Sequence, residues 1–240
     1  MSGGLEVTGL VAGYGALEVL HSLTLSVQQG ECAALVGMNG AGKSTFVKCL
    51  AGLVEARAGT VLLNGVDLTR AQPGDRIRHG FGIVLEGRRM FRKLTVLDNL
   101  RIAVTNDDRR EWRPHVDAAF EQFPELKPFE NSLAGALSGG QQQMLVLAQA
   151  LVKKPAILVI DEPTLGLAPS VVRRVADAVR GAMDGGTSVL VVEQSVDFAT
   201  DVASRVFVMA RGRVEEQVDT SVAGSAAMLR RLVLGGRPQD

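Results

Sequence analysis

The sequence predicts an α/β fold: a mixed, mainly parallel sheet at the core, with an antiparallel β subdomain and a helical subdomain attached. Three observations carry this reading. The short, continuous apolar runs Cys32–Val36, Ile157–Ile160 and Ser188–Val192 have the length and composition of strands buried on both faces. A helical pattern follows each of them, at Lys43–Leu50, Pro169–Ala182 and Ser195–Ala203, in the order of strand and crossover helix. Between Arg88 and Leu137 the strand signal stops, and Pro114, Pro124 and Pro128 interrupt a helical, charged stretch.

The remaining elements fall around this frame. Leu5–Val11, Val19–Val27, Thr60–Leu63, Gly82–Leu85, Val206–Met209 and Arg213–Val218 read as further strands, the first few suggesting an antiparallel β layer. At 240 residues the chain suits one large domain with a lobed insertion. Residues 1–87 and 137–240 are assigned to the core with its β layer, and 88–136 to a helical subdomain of two or three short helices. Asp107–Arg113 reads as a loop and Gly235–Asp240 as a frayed tail.

Composition narrows the function classes. Lys plus Arg (26) equals Asp plus Glu (26), so no net field draws the chain to nucleic acid or an anionic membrane surface. The longest apolar runs are strand-sized, far short of a membrane span, and MSGGLEV lacks the basic and apolar regions of a signal peptide. A soluble, cytoplasmic protein is expected. Cys32 and Cys49 are read as buried free thiols.

Gly37-Met38-Asn39-Gly40-Ala41-Gly42-Lys43-Ser44-Thr45 matches the phosphate-binding pattern G-x-x-x-x-G-K-[ST], between a buried strand and a helix. Its glycines let the backbone curl so that successive N–H groups face phosphate oxygens, and the helix adds the positive end of its dipole. Lys43 is expected to reach the β- and γ-phosphates, and the Ser44 hydroxyl to ligate Mg²⁺.

Asp161 and Glu162 end the strand Ile157–Ile160. Ligands of parallel sheets sit at the carboxyl ends of the strands, which turns both carboxylates towards the phosphate loop. Asp161 is expected to hold Mg²⁺ and Glu162 to act as general base on a water. The competing reading makes them caps of the helix that begins near Pro169.

With these motifs stands Leu137-Ser138-Gly139-Gly140-Gln141, at the start of a helix running towards Val152. A chance LSGGQ is expected in roughly a few per ten thousand chains of this length. Together the segments resemble the ABC-type ATPases, the nucleotide-binding subunits of transporters, over nearly the whole chain. The resemblance implies ATP and Mg²⁺ as ligands. It implies that Ser138, Gly139, Gly140 and Gln141 meet the γ-phosphate held by another subunit in a head-to-tail dimer, and that Tyr14 stacks on adenine. The alternative for Tyr14 is an ordinary core tyrosine.

Three positions depart from the commonest pattern of the family. Glu86 stands for a glutamine that touches Mg²⁺, Ala168 for an aspartate and Gln194 for a histidine that contacts the γ-phosphate. The segments Glu86–Phe91 (EGRRMF), Leu94–Leu100 (LTVLDNL), Leu165–Pro169 (LGLAP) and Val192–Gln194 (VEQ) are similar to those of branched-chain amino acid importers (LivF-like). Relatives in that group serve urea or amides, so the resemblance leaves the solute open. It implies membrane permease subunits, a second ATPase subunit or a second copy, and indirectly a solute-binding protein as partners. The chain would then lie on the cytoplasmic face of the cell membrane. An exporter or lipid-transport ATPase and a soluble, non-transport ABC ATPase are the alternatives.

Overall fold

The structure is a computed structural model that describes residues 3–104 and 112–234. The tail 235–240 and most of the expected loop 107–113 therefore lie outside the described residues.

Two sheets form. The first is antiparallel, in the order β2-β1-β4-β5, from β1 (Gly4–Tyr14), β2 (Leu17–Gln28), β4 (Ala56–Leu63) and β5 (Val66–Asp67). The second has the order β10-β9-β3-β8-β7-β6, from β3 (Cys32–Val36), β6 (Phe81–Val84), β7 (Ile157–Asp161), β8 (Ser188–Glu193), β9 (Arg205–Ala210) and β10 (Arg213–Asp219). Its strands are parallel except β10, which pairs antiparallel with β9. The mixed α/β architecture expected from the sequence is thus present.

The central strands are buried throughout because each feeds two cores. Along β3, Cys32, Ala34 and Val36 join a cluster on one face while Ala33 and Leu35 join a cluster on the other. Strand β8 splits the same way, Val189 and Val191 against Leu190 and Val192. This is the two-residue alternation of a pleated strand used on both faces. One core holds the β layer and α1 (Lys43–Leu50), with Leu5, Leu23 and Phe46 fully buried. The other holds α5 (Gly139–Leu151), α6 (Pro169–Asp184) and α7 (Val196–Val202).

Segment 88–136 carries α3 (Val96–Val104), α4 (Trp112–Gln122) and 3₁₀ turns at Pro124–Phe129 and Ala134–Ala136. Leu100, Phe120, Phe123 and Leu126 from this segment pack into the same core as α5. Two helices were not expected from the sequence: α2 (Pro73–Arg78) and α8 (Ser225–Val233). Strand β4 also begins earlier than its apolar part, at Ala56, and its N-terminal half is largely exposed. There Gly59 packs against the backbone of Gly9, so pairing rather than burial extends the strand.

Parallel pairing brings one set of strand ends together. Val36 of β3 lies beside Glu193 of β8, Asp161 of β7 beside Val192, and Val84 of β6 beside Ile160. The loops leaving β3, β8, β7 and β6 therefore emerge side by side, where open α/β sheets bind ligands.

Candidate functional site

The phosphate loop leaves β3 at Val36 and enters α1 at Lys43. Gly42, the N-cap of α1, has φ +109°, and no side chain caps the helix. Its first N–H groups are thereby left available to an anion. Gly37 is needed for space: a Cβ there would stand 2.4 Å from the Met209 carbonyl oxygen at the end of β9. Met38, Asn39 and Gly40 are exposed, Ala41 and Thr45 buried, and Ser44 half-buried. Lys43 is buried, and its Nζ donates to the Gly37 and Met38 carbonyl oxygens at 2.9 and 3.3 Å. The ammonium also lies 3.6 Å from Glu162 Oε1.

Asp161 is 4% exposed, and its Oδ1 is the one buried side-chain atom among the described residues with no hydrogen-bond partner. Burial pushes its carboxyl up to about 6, with the charges of Glu162 and Glu86 adding to the effect. A bond from the Ser44 hydroxyl and the charge of Lys43 pull the other way. An orphaned carboxylate oxygen beside a serine hydroxyl is a donor set suited to Mg²⁺, which usually takes one or two carboxylates and completes its shell with phosphate and water. Among the described residues no three His, Cys, Asp or Glu side chains form a metal cluster.

Glu162 adopts φ +47°, an uncommon left-handed conformation for a residue with a side chain. Its N–H donates to the Val192 carbonyl oxygen at 2.8 Å, tying the exit of β7 to β8. Gln194, just past β8, donates its side-chain amide to Glu162 Oε1 at 2.9 Å and also to Asn39 Oδ1. Lys43, Glu162, Gln194 and Asn39 thus form one connected group. Helix α6 is capped at Ala168 without any side-chain bond, so neither Asp161 nor Glu162 serves as its cap. Glu86 is exposed in the loop after β6 and shares with Asp161, Glu162 and Arg88 the wall of a hollow of about 220 Å³.

Ser138 caps α5 through a reciprocal box: its Oγ accepts from the Gln141 N–H at 3.3 Å, and its own N–H donates to Gln141 Oε1 at 2.9 Å. The two glycines make room for neighbours. A Cβ on Gly139 would stand 2.9 Å from Arg88 Nη1, and one on Gly140 2.8 Å from Val171 Cγ2. Ser138, Gly140 and Gln141 line a separate hollow with Met144, Val171 and Arg174. Asp161 and Glu162 thus line one hollow, and Ser138, Gly140 and Gln141 another. Tyr14 is 46% exposed at the end of β1, which excludes the core-tyrosine alternative. The neighbouring strand approaches the phosphate loop, where Val19 and Leu20 flank Gly42.

Among the buried polar residues not singled out from the sequence are Glu193 and Asn99. Glu193 is 3% exposed and binds both the loop after β7 and the start of the loop after β8. Asn99 in α3 is fully buried and bonds Phe91 through its N–H and its carbonyl oxygen, fixing the turn that follows Glu86–Arg89. The available signal was a lone polar residue closing an apolar strand or helix face, where such groups are costly unless paired. The thiols of Cys32 and Cys49 are buried as expected, and burial pushes them up to about 12 and about 11.

Comparison with known proteins identifies the family. The family model described as ABC transporter matches residues 20–165. The chain is 35% identical over 223 residues to the high-affinity branched-chain amino acid transport ATP-binding protein BraG of Pseudomonas aeruginosa, covering 93% of this chain and 96% of BraG. It is 37% identical over 211 residues to the probable branched-chain amino acid transport ATP-binding protein LivF of Archaeoglobus fulgidus, covering 88% and 89% of the two chains. A nucleotide-free ATP-binding cassette from an ABC transporter superposes with a TM-score of 0.85 at 24% identity, over the full length of both chains. With a family model matched over more than half of its length and relatives at 35% and 37% identity along most of it, the chain belongs to the ABC transporter family of ATP-binding proteins.

Proposed function

We propose that this protein is the ATPase subunit of an importer, coupling ATP hydrolysis to uptake of branched-chain amino acids or a related small polar solute through a separate permease. The observation that carries the reading is the meeting of Lys43, Asp161, Glu162 and Gln194 at adjacent strand ends. The similarity to BraG and LivF, whose names specify branched-chain amino acid transport, supports the solute class.

In this reading Gly37–Thr45 cradles the phosphates, Lys43 leaves the Gly37 carbonyl for the β- and γ-phosphates, and Tyr14 stacks on the base. Ser44 and Asp161, with Glu86 beside them, would hold Mg²⁺. The ion supplies charge neutralisation on the phosphate oxygens when bound. Glu162 takes the proton of the attacking water as general base. Gln194 donates an amide hydrogen and orients that carboxylate. Being neutral, Gln194 cannot itself carry the proton.

In the same reading Ser138, Gly139, Gly140 and Gln141 serve the site of a second subunit, either a copy of this chain or a sibling ATPase. The N–H groups of the first turn and the positive dipole end of a helix start suit an incoming γ-phosphate. Residues 88–136, with Glu86–Arg89 at their base, act as the lobe that meets the permease. Among the described residues no helix is long and apolar enough to cross a membrane, and the permease would hold this chain at the cytoplasmic face. A solute-binding protein outside selects the cargo.

The test is the Glu162→Gln variant with saturating ATP and Mg²⁺. Hydrolysis should stop, and a nucleotide-bound dimer should accumulate on size exclusion, alone or with the partner ATPase added. A variant that stays monomeric in both mixtures would refute the shared-site arrangement.

A further inference from the structure

Strand β8 runs Ser-Val-Leu-Val-Val and then ends on a carboxylate, Glu193, which is 3% exposed. An ionised carboxylate in such a place is expensive unless donors surround it. Here four do. Oε1 accepts from the Thr164 N–H at 3.0 Å and the Thr164 hydroxyl at 2.6 Å. Oε2 accepts from the backbone N–H groups of Gln194 at 2.9 Å and Ser195 at 3.2 Å.

The two oxygens therefore pin the two segments that flank Glu162. Thr164 lies two residues beyond Glu162 on the loop leaving β7. Gln194 carries the side-chain amide that meets Glu162 Oε1 at 2.9 Å. Glu162 itself sits at φ +47°, a conformation that persists only where its surroundings enforce it. In addition, Glu193 lies in register with Val36, the last residue before the phosphate loop. A carboxylate at this point ties the exits of β7 and β8 to one another beside the end of β3, which an apolar residue filling the same volume would not do.

We infer that Glu193 is a positioning residue for hydrolysis: it clamps Thr164 and Gln194 so that the Glu162 carboxylate is held ready to accept the proton of water. This rests on the general-base reading of Glu162. Glu193→Gln is the near-isosteric probe, because an amide keeps the volume but turns two hydrogens towards N–H groups that need an acceptor.

The experiment measures steady-state ATP hydrolysis, ADP binding, thermal unfolding and amide hydrogen exchange for the wild type, Glu193→Gln, Gln194→Ala, Glu193→Gln/Gln194→Ala and Glu162→Gln. Glu193→Gln should lower kcat by about ten- to a hundredfold, the scale of a misplaced catalytic group, with KM and ADP affinity within about twofold of wild type. Exchange should rise in the segments around Thr164 and Gln194–Ser195, and the double variant should lose less than the product of the single losses. Unchanged kcat in Glu193→Gln, with Glu162→Gln inactive, would overturn the positioning role and leave the base assignment standing. A fall in kcat matched by lost ADP binding and a lower Tm would overturn it too, making Glu193 a structural residue. Full activity in Glu162→Gln would remove the base assignment and this inference with it.

Discussion

Gln194 Nε2 donates to Glu162 Oε1 at 2.9 Å, and the same oxygen faces Lys43 Nζ at 3.6 Å. One carboxylate oxygen is thus held by a neutral donor and approached by a cation, while among the described residues Oε2 carries no such partner. The division of labour follows. Glu162→Gln removes the only group of the three that can accept a proton at neutral pH, and should cost about 10²–10⁴ in kcat. Gln194→Ala removes an orienting bond and should cost less, leaving measurable hydrolysis. A Gln194→Ala variant that is dead beside an active Glu162→Gln would reverse the assignment.

Asp161 gives a pH signature in the nucleotide-free protein. Burial, with the Glu162 charge next, raises its carboxyl from 3.8 to about 6, so the folded state holds this proton more tightly than the unfolded chain does. Stability from this group is fully present below about 4, falls as pH rises, and is lost above about 6. Asp161→Asn removes the charge that has to be buried. The melting temperature of Asp161→Asn relative to wild type should therefore climb between pH 4 and 6 and level off above, while Mg²⁺-dependent hydrolysis is lost. A difference that stays constant across this range would mean that Asp161 titrates normally.

Legibility in the sequence followed burial. Cys32–Val36, Ile157–Ile160 and Ser188–Val192 are continuous apolar runs because both faces are covered, and such runs announce themselves without a partner. Asp161 and Glu162 were legible because they close one of those runs, and Lys43 because it completes the G-x-x-x-x-G-K-[ST] pattern. The first half of β4 is exposed and carries Gly59, so no hydrophobic pattern marks it, and only its pairing with β1 makes it a strand. Helix α2 is short and charged, and its Arg76 is buried by donating to the carbonyl oxygens of Leu50, Thr69 and Ala71, which no local pattern encodes. Glu193 and Asn99 stayed hidden for a related reason: their partners are distant in sequence or belong to backbone turns, and a polar letter alone does not say whether it is solvated or clamped.

Arg89 separates coupling from catalysis. It is exposed and, among the described residues, bonds only the Glu86 carbonyl oxygen at a long 3.4 Å, so the fold does not depend on it. Arg89→Glu should bind ADP and hydrolyse ATP like the wild type when the chain is alone. In the assembled transporter the same change should depress solute uptake and weaken stimulation of the ATPase by the permease. Normal uptake by Arg89→Glu would place the coupling surface elsewhere.

The phosphate loop offers a contrast between two kinds of glycine. Gly37 is crowded, since a Cβ would stand 2.4 Å from the Met209 carbonyl oxygen, a backbone atom that cannot swing aside. Gly40 has φ +81° but nothing within 4 Å of a Cβ, so alanine there meets backbone strain without a clash. Gly37→Ala should force the loop away from β9 and cost about 1–3 kcal/mol in denaturant unfolding, the range of overpacked cores. Gly40→Ala should cost about 1–2 kcal/mol from the left-handed backbone alone. Nucleotide affinity divides them more clearly: in Gly37→Ala the whole loop shifts relative to Asp161 and Glu162, so ADP binding and kcat fall together. Gly40→Ala keeps the loop anchored at both ends and should weaken ADP binding by the smaller factor. Equal losses in the two variants would show that the close approach to Met209 does not set the position of the loop.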